Sequence, residues 1–186
     1  MALLKIARMG HPVLRHRAAE VDEPTAPWVR RLVEDMLETM DDAGGTGIAA
    51  PQVHAPHRIV TFFVAGERTT DLPGDGEQPL TVLINPVIEP VGSEMALGWE
   101  GCLSVPGLRG AVPRYSRIRY RGLGLNGEVI EREAAGFHAR VVQHECDHLD
   151  GILYPQRITD HRLLLYTEEL QRYPIDLAEF LKGETS

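Results

Sequence analysis

Residues 136–149, GFHARVVQHECDHL, predict a helix with almost no face left for water. Apolar side chains such as Val142 and Leu149 share one side of this helix. Val141 lies on another side together with the polar residues His144, Glu145 and His148. A helix with so few solvent-facing positions is expected to be central and buried, with the other elements packed around it.

The same residues predict a metal site. Histidines at positions i and i+4 of a helix project side by side, so His144 and His148 can both bind one ion. Glu145 is turned about 100° around the helix from His144. From there its carboxylate can hydrogen-bond a water at the metal without binding the ion itself. The pattern therefore indicates metal-assisted hydrolysis.

A hydrolytic metal needs a third protein ligand, and the sequence offers two candidates. Cys102 lies in Trp99–Ser104, WEGCLS, a glycine-bearing segment that allows close approach of the backbone. Glu168 stands about twenty residues after the histidine pair, the distance used by thermolysin-like proteases. Tyr154 occupies the position where a metzincin would carry its third histidine, which excludes that class. From the residues, Cys102 is favoured and Glu168 stays open as the alternative.

The segment Gly45–Gln52, GTGIAAPQ, is a short glycine-rich run that is typical of a tight turn and that also allows another chain to bind. Its small residues leave room for another chain to lie against the backbone, and Gln52 supplies an uncharged amide donor. The segment lacks the lysine and the spacing of a phosphate-binding loop, so it does not indicate nucleotide binding.

The remaining pattern predicts strands with a few helices around them. An apolar stripe predicts a first helix over residues 25–43, with Thr25 as N-cap and Gly44-Gly45 as the stop. Residues 163–170 predict a later helix, and residues 67–79 an exposed loop. Strands are predicted at 59–64, 81–84 (ended by Asn85-Pro86), 117–121 and 128–131, the last two joined by an Asn126-Gly127 turn. We expect an α+β fold in which antiparallel or mixed β-sheets pack around a central metal-binding helix, with an N-terminal and a C-terminal helix.

Composition limits the classes of partner. The chain has 186 residues, a formal net charge of −8 and two cysteines. This length predicts a single domain spanning 1–186, in which about 174–186 form a flexible tail. The negative net charge disfavours binding to DNA or to an anionic membrane, because both are negatively charged as well. The early charged residues do not resemble a signal peptide, and the low cysteine content fits a reducing compartment, so we expect a cytoplasmic protein.

Taken together, the three motifs resemble those of the bacterial-type peptide deformylases. That family carries a Gly-x-Gly-Φ-Ala-Ala-x-Gln segment, a Glu-Gly-Cys-Φ-Ser segment and a His-Glu-x-x-His helix in this order. They match residues 45–52, 100–104 and 144–148, and the likeness extends over about residues 5–158.

The resemblance implies hydrolytic removal of the N-formyl group from formyl-methionyl nascent peptides. It implies one divalent metal ion, natively Fe²⁺, with Zn²⁺, Ni²⁺ or Co²⁺ as replacements in preparations. Its ligands would be Cys102, His144 and His148. Glu145 would be the general acid and base.

The resemblance also assigns the substrate contacts. The Gln52 amide and the Leu103 backbone N–H would hold the oxyanion. The backbone at Gly45, Thr46 and Gly47 would pair with the peptide, and Val141 would form a wall of the methionine pocket. A zinc endopeptidase that uses Glu168 remains the alternative.

Two departures from the family pattern stand out. Cys146 replaces the methionine that is common there; at i+2 from His144 it is expected in the core, away from the metal. Some members dock on the ribosome through a basic C-terminal helix, whereas residues 159–186 here carry three basic and six acidic side chains. Ribosome contact stays open, but docking through this tail is not expected.

Overall fold

Two antiparallel sheets flank the central helix that the sequence predicts. The structure is a computed structural model that describes residues 2–70 and 72–183. The helices are α1 (Pro27–Asp42), α2 (Gly136–Leu149), α3 (Thr167–Arg172) and α4 (Leu177–Gly183). The strands are β1 (Gly47–Ala49), β2 (Ile59–Val64), β3 (Gln78–Pro90), β4 (Met95–Cys102), β5 (Val105–Tyr115), β6 (Arg117–Leu123), β7 (Val129–Ala135) and β8 (Leu164–Tyr166).

The larger sheet has the strand order β1-β2-β3-β6-β7, and the smaller has the order β4-β5-β8. Neighbouring strands run antiparallel in both sheets. Together with α1 near the N-terminus and α4 near the C-terminus, this architecture confirms the α+β expectation. β1 is an edge strand, so one side of its backbone is left without a strand neighbour.

The core lies on both faces of the larger sheet. Alternate residues of β2 point to opposite faces, as in any strand. Val60 and Phe62 pack in the cluster that contains Val142 and Leu149 of α2. Ile59, on the other face, packs in the cluster formed with α1. In α2, every residue from His138 to Leu149 is buried, which confirms the prediction of a central helix.

The first helix begins later than predicted. Ala26, not Thr25, occupies the N-cap position, and no side chain caps the helix there. Pro27 begins the helix, where its missing N–H is no loss because the first amides have no helical partner. The stop is as predicted: Gly44 follows the helix with φ +62°, a conformation that favours glycine.

Strand β3 does not end at Asn85-Pro86. It continues to Pro90 with a shift in register between Ile84 and Val87, the mark of a bulge. Asn85 takes φ +52° and its side chain bonds the backbone of Val21 at 2.9 and 3.0 Å. These two hydrogen bonds stabilise the irregular backbone, so the strand passes through it.

The helix predicted over 163–170 is wrong in its first half. Leu164–Tyr166 form β8, which pairs with Leu108–Gly110 of β5, and α3 starts only at Thr167. The open edge of β5 supplies hydrogen bonds that outweigh the helical propensity of leucine. The predicted flexible tail, 174–186, includes α4, while residues 184–186 lie outside the described part of the chain. None of the described helices has the length and apolar character needed to cross a membrane.

Candidate active site

Helix α2 starts from a cap that comes from elsewhere in the chain. Ala135 stands at the N-cap position, and it has no side chain that could bond the first amides. Asp75 takes this role: its carboxylate accepts hydrogen bonds from the amides of Phe137 (3.0 Å) and His138 (3.1 Å). The same carboxylate also accepts hydrogen bonds from the Thr70 amide at 2.8 Å and from the Thr70 hydroxyl at 2.7 Å.

Most described residues of the loop predicted over 67–79 are exposed as expected, but Asp75 is an exception because its side chain is buried. Burial raises the pKa of the Asp75 carboxyl, but the hydrogen bonds from Thr70, Phe137 and His138 outweigh burial and lower it overall. A negative charge at a helix N-terminus also interacts favourably with the helix dipole. The loop therefore anchors the helix that carries the predicted metal ligands.

Cys102, His144 and His148 come together as the sequence predicts. Their ligand atoms all lie within 4.8 Å of one another. Cys102 Sγ is 3.4 Å from His148 Nε2. Ligands that share one tetrahedral ion at bonds of about 2.0–2.3 Å lie roughly 3.3–3.8 Å apart. The thiolate and two imidazoles therefore fit one divalent metal ion.

Strand β4 brings the cysteine to the helix. The pairing of β4 with β5 shifts in register between Glu100 and Cys102, which turns the end of the strand toward α2. Cys102 Sγ accepts hydrogen bonds from the Ser104 amide at 3.4 Å and from Gln52 Nε2 at 3.5 Å. These two contacts hold the sulfur atom in place beside the histidines, and the thiolate is the form of cysteine that binds metal.

Glu168 is not part of this cluster. It is exposed on α3, and within the described chain it does not join His144 and His148 in any group that could hold a metal ion. The thermolysin-like alternative therefore lacks its third ligand. Cys146 is buried in the core beside Val142 and away from the cluster, as predicted.

Glu145 lies between the metal ligands and the edge strand. A Cβ atom on Gly47 would collide with the Glu145 carboxylate, which shows how closely β1 approaches this side chain. Glu145 Oε2 is buried and has no hydrogen-bond partner among the described residues. Burial, the largest effect, raises the pKa of Glu145 to about 7. A carboxyl with this pKa can both take up and release a proton near neutral pH.

A hydrogen bond within its own segment holds the Gln52 side chain beside Cys102. Its Oε1 accepts the Ala49 amide at 2.8 Å, which fixes the side-chain amide so that Nε2 points to Cys102 Sγ and Ser104 Oγ. Gln52 is 1% exposed. A rigid amide donor next to the metal ligands is suited to bind an oxygen that gains negative charge.

A cleft of about 390 Å³ opens over these groups. The remaining residues predicted for substrate binding all line it: Gly45, Thr46, Gly47, Leu103 and Val141. The structure thus brings every predicted site residue to one place.

Sequence reasoning missed the charged network behind the metal ligands. Glu100 Oε2 accepts His144 Nδ1 at 2.8 Å, so the other ring nitrogen, Nε2, is directed to the cluster. Arg114 donates two hydrogen bonds to Glu100, and Arg140 donates one at 2.9 Å. Burial raises the pKa of Glu100, yet the hydrogen bonds from His144 and Arg114 lower it strongly overall.

The network continues through the helix. Arg114 also donates to Asp147 at 2.6 Å, and Arg157 bonds both oxygens of that carboxylate. Glu100 lies two residues before Cys102 and Asp147 lies between the two histidines. The sequence therefore contains one signal of this network, which is that two acids stand inside the metal-binding motifs. Acids buried there need buried cations as partners.

Comparison with known proteins identifies the family. The family model for polypeptide deformylase matches residues 3–163. Peptide deformylase 1 of Bordetella pertussis is 55% identical over 166 residues, covering 89% of this chain and 93% of that protein. Peptide deformylase 2 of Ralstonia nicotianae is 52% identical, covering 89% and 92%.

Solved structures agree with the sequence comparison. The crystal structure of peptide deformylase from Ehrlichia chaffeensis superposes with a TM-score of 0.80 at 34% identity, covering 87% of this chain and 90% of that one. A Met-Ala-Ser-bound structure of the class I type b enzyme from Acinetobacter baumannii gives 0.76 at 41% identity, covering 84% and 99%. With its Cys-His-His cluster, this chain belongs to the peptide deformylase family, metallohydrolases that remove the N-formyl group from nascent peptides.

Proposed function

We propose that Glu145, Gln52 and Leu103 carry out the reaction beside a metal ion held by Cys102, His144 and His148. The ion supplies a Lewis acid that makes water a nucleophile near neutral pH and polarises the formyl carbonyl. The observation that carries the proposal is the buried Glu145 carboxylate, which lies against Gly47 with one oxygen unpartnered within the described residues.

Glu145 moves the proton. Its carboxylate takes a proton from the attacking water, and the amide bond between the formyl carbon and the methionine nitrogen breaks after attack. Glu145 then gives that proton to the leaving nitrogen, so formate and a free amino terminus are released. The pKa of about 7 suits both transfers, since neither the protonated nor the ionised form is strongly disfavoured.

Gln52 and Leu103 stabilise the negative charge that develops on the formyl oxygen. Gln52 Nε2 lies 3.5 Å from Cys102 Sγ, so its N–H points toward the reacting group. The backbone N–H of Leu103, the residue after Cys102, is the second donor. Two fixed donors in a buried cleft cost little reorganisation when charge appears.

The substrate is a peptide that begins with formyl-methionine, bound as an added strand. Gly45, Thr46 and Gly47 lead into the edge strand β1, whose outer side faces the cleft. An extended peptide can pair with such an edge through its backbone, whatever its sequence. Val141 and its neighbour Phe137 give the cleft an apolar wall for the methionine side chain.

The metal is Fe²⁺ in the cell, and Zn²⁺, Ni²⁺ or Co²⁺ can take its place. One thiolate and two imidazoles suit each of these ions, so the ligand set alone does not choose among them. The single catalytic domain acts in the cytoplasm, without docking to the ribosome through its acidic tail. Anaerobic purification followed by metal analysis tests the first point, and salt-dependent cosedimentation with ribosomes tests the last.

The activity is tested with formyl-Met-Ala-Ser and its acetylated counterpart. We expect metal-dependent release of formate from the first and no release of acetate at a comparable rate from the second. Cys102→Ser should lose metal and activity together, whereas Cys146→Ser should keep the metal. Retention of full activity by Cys102→Ser would contradict the proposed ligand set.

A further inference from the structure

The N-terminal segment makes backbone contacts to the two segments that carry the proposed oxyanion donors. The Ala7 amide donates a hydrogen bond to the Gln52 carbonyl at 2.7 Å. The Met9 amide donates a hydrogen bond to the Ser104 carbonyl at 2.8 Å. We call residues 7–9 the N-terminal bridge, because they bond both segments. The mechanism proposed above does not use them.

The two segments that the bridge contacts belong to different sheets. Gln52 lies in the helical turn that follows β1 of the larger sheet. Ser104 lies in the turn between β4 and β5 of the smaller sheet, and it follows Leu103, whose N–H is the second proposed donor. One side-chain hydrogen bond also joins the segments, from Gln52 Nε2 to Ser104 Oγ at 3.2 Å. The separation of the two donors therefore depends on what connects the sheets at this point.

The turn that carries Leu103 adjoins two cavities. Leu103 and Pro106 line the cleft over the metal ligands, and both also line a second groove of about 840 Å³ beside the N-terminal segment. Open space on both sides leaves the turn less support from packing, so hydrogen bonds to its backbone matter more for its position. The bond from the Met9 amide reaches this turn at Ser104, which is fully buried.

The bridge can fix these segments because the chain is held on both sides of it. Before the bridge, the Leu4 amide donates a hydrogen bond to Thr39 Oγ1 of α1 at 2.9 Å. After it, the Ala18 amide donates a hydrogen bond to the carbonyl of Leu149, the last residue of α2, at 2.7 Å. The N-terminal segment is thus attached to both long helices, and the bridge lies between these attachments.

We propose that the backbone amides of Ala7 and Met9 are positioning groups that set the separation of the two oxyanion donors. Ala7 fixes the Gln52 side, and Met9 fixes the Leu103 side. The inference rests on the proposed function and adds to it two groups that touch neither the substrate nor the metal ligands. Donors stabilise developing charge only where they are held in advance, and a displacement of about 1 Å can cost roughly 100-fold in rate.

Hydrogen exchange of single backbone amides tests the bridge in the unaltered, metal-loaded protein. The Ala7 and Met9 amides should exchange at least about tenfold more slowly than the Arg8 amide, because a bonded amide exchanges only when the structure opens. The Arg8 amide is a matched control, since it lies between them and donates no hydrogen bond within the described residues. Equal exchange at the three positions would overturn the bridge.

Proline substitutions test its effect on the reaction, because proline has no amide hydrogen. Met9→Pro removes the bond to Ser104 and should lower kcat for formyl-Met-Ala-Ser about tenfold, part of the 10²–10³-fold cost of losing a whole oxyanion donor. KM and the bound metal should stay near the parent values. Arg8→Pro places the same ring one residue earlier without loss of a hydrogen bond, and it should keep the parent kcat. Equal kcat values in the two variants would overturn the proposal.

A double-mutant cycle separates positioning from a general loss of stability. A separation between two donors matters only while both are present, so Met9→Pro should lower kcat by less than about threefold in a Gln52→Ala background. A general defect would instead multiply with the loss in Gln52→Ala, and an equal factor in both backgrounds would contradict the positioning role. If Gln52→Ala alone leaves kcat unchanged, the oxyanion role of Gln52 in the proposed function is wrong.

Discussion

Glu100 Oε2 lies 2.8 Å from Nδ1 of His144, and both groups are buried. The carboxylate fixes the histidine ring with its other nitrogen toward Cys102 and His148. Because Arg114 and Arg140 also bond Glu100, one buried acid connects a metal ligand of α2 with strands β4 and β5. The metal site therefore consists of the three ligands and of a second set of buried charged side chains that fix the position of a ligand.

Glu100→Gln should weaken metal binding. The amide has one acceptor oxygen in place of two and no charge, so it cannot serve His144 and both arginines at once. Loss of such an outer contact to a ligating histidine typically costs about 10–100-fold in metal affinity. Competition with a chelator measures it. Glu133→Gln, which breaks the exposed pair with Arg119 at 2.8 Å, is the control and should bind metal like the parent. Equal affinities in both variants would contradict the role of Glu100.

Glu145→Gln should abolish most of the activity while metal binding remains. A proton carrier of this kind contributes about 10²–10⁴-fold to the rate. Formate release and metal content are measured on the same preparation. Glu168→Gln removes an exposed glutamate and should leave both unchanged. A large loss of metal in Glu168→Gln would instead revive the endopeptidase alternative.

Gly47→Ala should reduce activity more than stability. The added methyl would meet the Glu145 carboxylate and displace it, but the displaced group is the end of a side chain and not backbone. A displacement of about 1 Å in a catalytic group can cost roughly 100-fold in rate. The control is Gly76→Ala, where a Cβ meets nothing within 4 Å. Comparable kcat/KM values for the two variants would show that Gly47 is not needed for the position of Glu145.

Asp75→Asn should destabilise the fold through α2. The substitution removes the charge and part of the bonding at the helix start, where loss of a cap costs about 0.5–2 kcal/mol. The pKa of Asp75 is lowered in the folded state, so its contribution is present at neutral pH and is lost as the pH falls below 3.8 through the folded pKa. Urea unfolding at pH 7 measures the effect. Asp22→Asn, at an exposed position, should unfold like the parent; an equal effect at both positions would refute the cap.

His138 should make the protein sensitive to mild acid. Burial, and next the charge of Arg132, lower its pKa from 6.5 to about 4, against a smaller opposing effect of Asp75. The unfolded chain takes up this proton first, so stability falls as the pH drops from 6.5 toward 4, by at most about 3 kcal/mol. The neutral ring bonds the Tyr120 hydroxyl at 3.0 Å.

The test for His138 compares two proteins, the parent and His138→Leu, by the change in their unfolding free energy between pH 7 and pH 4.5. That change should be smaller in His138→Leu than in the parent, although the variant starts from a lower stability because Tyr120 loses its partner. Parallel pH profiles for the two proteins would show that His138 is not the sensitive group.

The local sequence determined the chemistry. The spacing of His144 and His148 on a helix predicts two ligands for one metal ion, and the glycines at 45 and 47 leave room for another chain against the backbone. Those properties depend on residue type and on the period of a helix or strand, both of which are local. The glycine stop at Gly44 was predictable for the same reason, because a positive φ is a property of one residue.

Only the tertiary structure decided which polar and charged side chains become partners and which strand edges pair with each other. Asp75 caps α2 across 62 positions of sequence, and Arg114 of β5 reaches Glu100 of β4 and Asp147 of α2. Leu164–Tyr166 became a strand because β5 offered an edge, and Asn85 did not end β3 because its side chain found the backbone of Val21. Such pairings follow from which buried groups need a partner once the chain is packed. A local pattern identifies the groups that need a partner, and the packed fold determines which partner each of them meets.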